Sequence, residues 1–112
     1  MRKGYKKMFE RTLPIGSVVS LYGAEKRLMV LGYVKGLRGD DTRAYDYCGC
    51  TYPEGYLNSE STAVFDHDDI EHIYALGYQD DVQFDFRERL IHILAERDEA
   101  AEQGDEKSDY NE

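Results

Sequence analysis

The chain has 112 residues, 41% of them hydrophobic, and a formal charge of -9. That length suits one domain with a small core. The acidic balance excludes general binding to nucleic acid or to an anionic membrane surface, since both carry negative charge.

The charge is uneven along the chain. Residues 1–38 hold nine Lys+Arg and two Asp+Glu, a net of +7; residues 39–112 hold five and 21, a net of -16. An acidic stretch of this size is either a solvated surface or a docking face for a basic partner. Residues 1–12 lack the apolar segment of a signal peptide, and no run approaches the ~20 apolar residues of a membrane span. Cys48 and Cys50 stand two apart, where a bridge has poor geometry. A reduced, cytoplasmic protein is the expectation.

Residues 1–12 read as a basic, flexible leader. Tyr5, Met8 and Phe9 could line one helical turn, but so short a helix needs docking to hold. Leu13, Pro14, Ile15 and Gly16 form a turn. Residues 17–22 and 26–34 read as a hairpin around Gly23, with Gly32 marking a bend in the second strand. Residues 35–42 read as a polar loop projecting from the body.

Residues 44–52 form the most distinctive strand. Tyr45, Tyr47, Gly49 and Thr51 fall on one face, and Asp46, Cys48, Cys50 and Tyr52 on the other. Gly49 leaves a gap among large side chains, which marks a bulge, a bend or a close backbone approach. Pro53 ends the strand in a turn through Gly55. Tyr56 and Leu57 open a short strand, residues 58–61 turn, and residues 62–65 complete four or five strands.

The pattern then changes. Asp66, Asp68 and Asp69 suit a helix N-terminus, where side-chain oxygens cap free N–H groups and negative charge meets the dipole. Ile70, Ile73 and Tyr74 make one apolar stripe, and Gly77 is a natural stop. Asp80 and Asp81 cap a second helix. On it Val82, Phe86, Leu90, Ile93 and Leu94 keep helical spacing to about residue 99, a stripe suited to packing on the sheet. Residues 100–112 read as a disordered acidic tail. The predicted fold is α+β: a small, strongly bent antiparallel sheet, a candidate for closure into a barrel, followed by two C-terminal helices. Residues 13–99 are its single folded domain.

Little in the chain points to catalysis. Cys48 and Cys50 could begin a metal or thiol site, but zinc wants about four ligands. His67, His72 and His92 lack ligand spacing with the pair. The bland reading is two small strand residues flanking a bend. His67 followed by Asp68 is a weak metal-hydrolase signal, and helix capping accounts for both. No nucleophile stands in an elbow context, and no glycine run matches a phosphate loop. No cofactor is expected. The ten tyrosines suggest recognition, because tyrosine buries area at low entropic cost and keeps a polar tip. The outward candidates are Tyr45, Tyr47, Tyr52 and Tyr56. Asp80, Asp81 and Asp85 are candidates for charge steering.

One resemblance runs through the chain. Leu13-Pro-Ile-Gly-Ser-Val-Val19, Gly23, the run Glu25 to Gly32, the run Tyr45 to Cys50, Tyr52-Pro-Glu-Gly-Tyr56, Phe65, Asp68, Ile70, Gly77 and Tyr78 together resemble domain-of-unknown-function family 4176. That family occurs in Gram-positive bacteria, commonly in type VII secretion gene clusters. The resemblance covers about residues 13–94. It implies a non-enzymatic cytoplasmic accessory protein, an adaptor or chaperone for an LXG-type toxin or its small helical targeting partners. It supplies no catalytic residues. Two alternatives stand beside it: an immunity protein that blocks a toxin domain, and a small metal or thiol enzyme using Cys48 and Cys50.

Overall fold

A computed structural model describes residues 9–37 and 40–107. The chain divides into two compact units, Met1–Tyr78 and Gln79–Glu112.

The first unit is built on five strands: β1 (Val18–Leu21), β2 (Arg27–Leu37), β3 (Asp40–Tyr52), β4 (Thr62–Phe65) and β5 (Ile70–Ala75). Their order across the sheet is β4-β3-β2-β1-β5, and every pairing is antiparallel. The sheet is open, with β4 and β5 as its two edges. The barrel expectation is corrected here. Closure needs consistent tilt and stagger around the ring, and here the two edge strands do not pair with each other.

The bends fall near the glycines. Val30 faces Gly49 and Gly32 faces Cys48, so Leu31 is an extra residue on β2. A Cβ on Gly49 would stand 2.6 Å from the Met29 carbonyl oxygen. The expected close approach is therefore real, and a larger residue would push β2 and β3 apart. β2 and β3 run further than expected. Lys35 pairs with Tyr45 and Gly36 with Ala44, so much of the predicted loop is paired ribbon.

The first predicted helix is absent; among the described residues there is one C-terminal α-helix, not two. His67–Asp69 is a single 3-10 turn, and Ile70–Ala75 is a strand on the edge of β1. The helical spacing of Ile70 and Ile73 has another cause. Ser20 faces His72 while Leu21 faces Ile70, which leaves Glu71 as a bulge. In a regular strand residues three apart point to opposite faces. One bulge returns them to the same face, and both isoleucines pack on the core. Tyr56 and Leu57 lie in a loop, not in a strand.

The core contains Phe9, Leu13, Val19, Leu28, Val30, Tyr47, Phe65 and Ile70. Phe9 belongs to the predicted leader, so the folded body begins before Leu13. Residues 1–8 lie outside the described residues. Gly16, at φ 93°, donates its N–H to the Val30 carbonyl, and the Val30 N–H returns to Ser17. That pairing ties the turn at Pro14 to β2.

The second unit is α1 (Asp81–Lys107), 27 residues long. The Asp80 carboxylate accepts the Gln83 N–H at 2.9 Å, as an N-cap should. The helix includes residues 100–107 of the expected tail; residues 108–112 lie outside the described residues. Among the described residues no helix is long and apolar enough to cross a membrane.

Candidate protein-binding surface

Tyr47 organises the first unit from inside. It sits on β3 with 0% exposure, which corrects its place among the outward tyrosines. Bends at Leu31 and Gly49 open room for its ring beside Phe65 and Tyr33, at centroid distances of 5.4 and 6.0 Å. The Leu13 N–H donates to Tyr47 Oη at 3.1 Å. Oη also lies 2.7 Å from Nδ1 of buried His67. In the tautomer with Nδ1 unprotonated, His67 accepts the phenolic hydrogen. The Tyr33 hydroxyl donates to the Leu13 carbonyl. Both backbone polar groups of buried Leu13 therefore end on tyrosines.

Asp46 and Asp66 fasten the next layer. The His67 N–H donates to Asp46 Oδ2 at 2.9 Å, and the Asp46 N–H donates to Asp66 Oδ1 at 3.1 Å. The Asp66 N–H donates to Asp69 Oδ2 at 2.9 Å. The acidic run that reads as a helix start thus pins a short turn to β3.

Burial pushes the Tyr47 phenol well above the ordinary tyrosine range; Asp46 adds to the push, while the Leu13 N–H and Arg11 oppose it. Burial pushes Tyr33 up to about 12. The sign follows directly. Below pH ~10 both phenols are neutral folded and unfolded, so they add no pH dependence. Above it the unfolded chain releases protons that the native chain retains, and stability falls. Urea titrations are expected to show no loss from these phenols between neutral pH and pH ~10 and a steady loss from there towards pH 12, the value to which Tyr33 is raised. A loss beginning below pH 9 would contradict this assignment.

The outer tyrosines are arranged differently. Tyr52 and Tyr56 are exposed at 42% and 64%, and Tyr45 is half-buried. Arg27 on β2 lies opposite Tyr52 in register, and its guanidinium stands 3.9 Å above the Tyr74 ring. Tyr74 in turn stacks on His72 at 5.1 Å. Arg27, Tyr74 and His72 therefore form a cation–aromatic cluster that links β2 to β5. Sequence reasoning missed Arg27 and Tyr74, because residues 70–75 carried helical spacing. Their β-branched and aromatic content was the available signal.

Asp80, Asp81 and Asp85 do not share one role. Asp80 is the cap described above, while Asp81 and Asp85 are exposed on α1. The exposed apolar side chains of α1 are Val82, Phe84, Phe86, Ile91 and Ile93. Cys48 and Cys50 are free thiols. Both lie on the same face of the sheet as their register partners on β4, Val64 and Thr62. Among the described residues no three His, Cys, Asp or Glu side chains gather to hold a metal.

These features define a class: a small α+β protein with a bent open sheet, an acidic helix and exposed aromatic and aliphatic side chains. The chain belongs to the family described as Domain of unknown function (DUF4176), whose model matches residues 12–86. No curated protein and no solved structure matches the chain.

Proposed function

We propose that this protein is a non-enzymatic cytoplasmic adaptor or chaperone. Its client is an LXG-type toxin of a type VII secretion system, or the small helical proteins that target such a toxin. One observation carries the reading. Five large apolar side chains, Val82, Phe84, Phe86, Ile91 and Ile93, are exposed on a single helix. So many large apolar side chains left exposed on one helix suit an interaction site. The same helix holds nine Asp+Glu and four Lys+Arg, a net of -5, which suits a basic client.

The test is binding of the full chain to the two halves of an LXG-type toxin, the N-terminal export region and the toxic C-terminal domain. Capture of the export region is expected. Capture of the toxic domain alone would replace this reading with immunity. Asp81→Lys with Asp85→Lys is expected to slow association about tenfold at low salt, and much less at high salt. Asp80 stays intact, because reversing it would unravel the helix start. An unchanged on-rate would remove the acidic helix from the docking step.

A further inference from the structure

The arrangement of charge and apolar side chains around α1 says more about the partner. At about 100° per residue, Glu88, Asp81, Glu99, His92, Asp85 and Glu96 fall in one stripe roughly 80° wide. Phe84 and Ile91 lie along one side of that stripe. Val82, Phe86 and Ile93 lie along the other, beyond Arg89. All five apolar side chains are exposed, and so are the five acids. The exposed surface therefore has an acidic centre with an apolar border on each side. Together these span over half the circumference of the helix.

We infer that α1 docks into a groove between two helices of a partner protein, with apolar walls and a Lys- or Arg-rich floor. A single flat partner helix covers a stripe of roughly 100°, too narrow to reach both apolar borders at once. Two helices flanking α1 reach both. The acidic centre then faces the floor, where it needs cations to offset its desolvation. A second copy docked helix to helix is the wrong occupant, because it would set a net charge of -5 against another -5, and the described basic residues before Gly39 lie on strands and turns, not on a pair of helices.

The inference rests on the adaptor reading for the identity of the client but not for the geometry of the site. Two measurements separate them. The first is affinity of the full chain for a purified LXG-type export region. Phe84→Gln and Phe86→Gln, on opposite borders, are each expected to weaken binding about tenfold, since glutamine keeps helix propensity while removing the apolar contact. Asp85→Lys with Glu96→Lys is expected to weaken it similarly, and Glu60→Ala, at an exposed residue of the first unit, by less than about twofold. Circular dichroism checks that each variant keeps its helix. Binding of the export region that none of the helix variants changes would overturn the groove and leave the adaptor reading standing.

The second measurement holds if the export region does not bind at all. Photo-crosslinking amino acids at positions 84 and 86 of the full chain are activated in the native bacterium, and the joined peptides are sequenced. Two different basic helical segments of one protein, one from each position, uphold the groove whatever that protein is. Crosslinks to this same chain, to one segment from both positions, to acidic segments, or to nothing overturn it.

Discussion

Replacing Gly77 by alanine is expected to destabilise the first unit by about 2–4 kcal/mol, the largest effect of a single added methyl among the described glycines. The reason is contact, not backbone conformation. A Cβ at this position would stand 1.8 Å from the Ile15 carbonyl oxygen and 2.7 Å from its carbon. Both are backbone atoms in the turn fastened to Val30, so neither can swing aside as a flexible side chain would. The Gly77 N–H also donates to Ser17 Oγ at 3.0 Å, and Ser17 donates to the Pro14 carbonyl at 2.7 Å. Moving Gly77 outward to admit a methyl would break this chain of bonds. Urea titration checks the loss, and Gly23→Ala is the informative comparison. Gly23 has φ 80° but open space around its Cβ position. Its substitution carries only the conformational cost, about 1 kcal/mol. A Gly77→Ala variant no less stable than Gly23→Ala would sink the close-approach account.

The same residue shows where sequence reading succeeds and where it misleads. Gly77 reads as a helix stop because Ile70, Ile73 and Tyr74 carry helical spacing. The shared face of Ile70 and Ile73 is genuine, but a bulge at Glu71 produces it, and Tyr74 is exposed. A bulge depends on the register chosen against β1, a contact about 50 residues away in sequence. Nothing local to residues 66–77 encodes that choice. Strand signals that rest on alternation and on glycine within a strand were legible: the hairpin around Gly23, the turn at Gly55 and the close approach at Gly49 all follow from local chemistry. The edges of β2 and β3 were not. Polar residues such as Lys35 and Thr42 read as loop, while cross-strand pairing extends the ribbon past them. The outward surface was legible at Tyr52 and Tyr56, next to a proline turn that cannot be buried in a ladder. It was illegible at Tyr47. Alternation assigns a face to each residue but does not say which face becomes the core, and Asp46 beside it is buried too. Burial of Asp46 depends on the His67 N–H it accepts, another contact across some twenty residues.

Tyr47→Phe is expected to cost about 2–4 kcal/mol at neutral pH while leaving the fold in place. The phenyl ring keeps the packing against Phe65 and Tyr33, so little apolar contact is lost. What disappears is one oxygen serving two buried groups. The Leu13 N–H loses its acceptor, and His67 Nδ1 loses its partner at 2.7 Å. Each buried polar group left unpaired costs about 1–3 kcal/mol, and a protein interior offers these two no ready substitute. The effect should also change with pH. In the native chain Tyr47 keeps its proton, while in the unfolded chain it ionises above pH ~10, which lowers wild-type stability there. Phenylalanine has no such proton to lose. The stability gap between wild type and Tyr47→Phe is therefore expected to be constant from neutral pH to pH ~10 and to narrow above it. Parallel stability curves through that range would mean that Tyr47 ionises as easily folded as unfolded, and would remove its hydroxyl from the centre of the core.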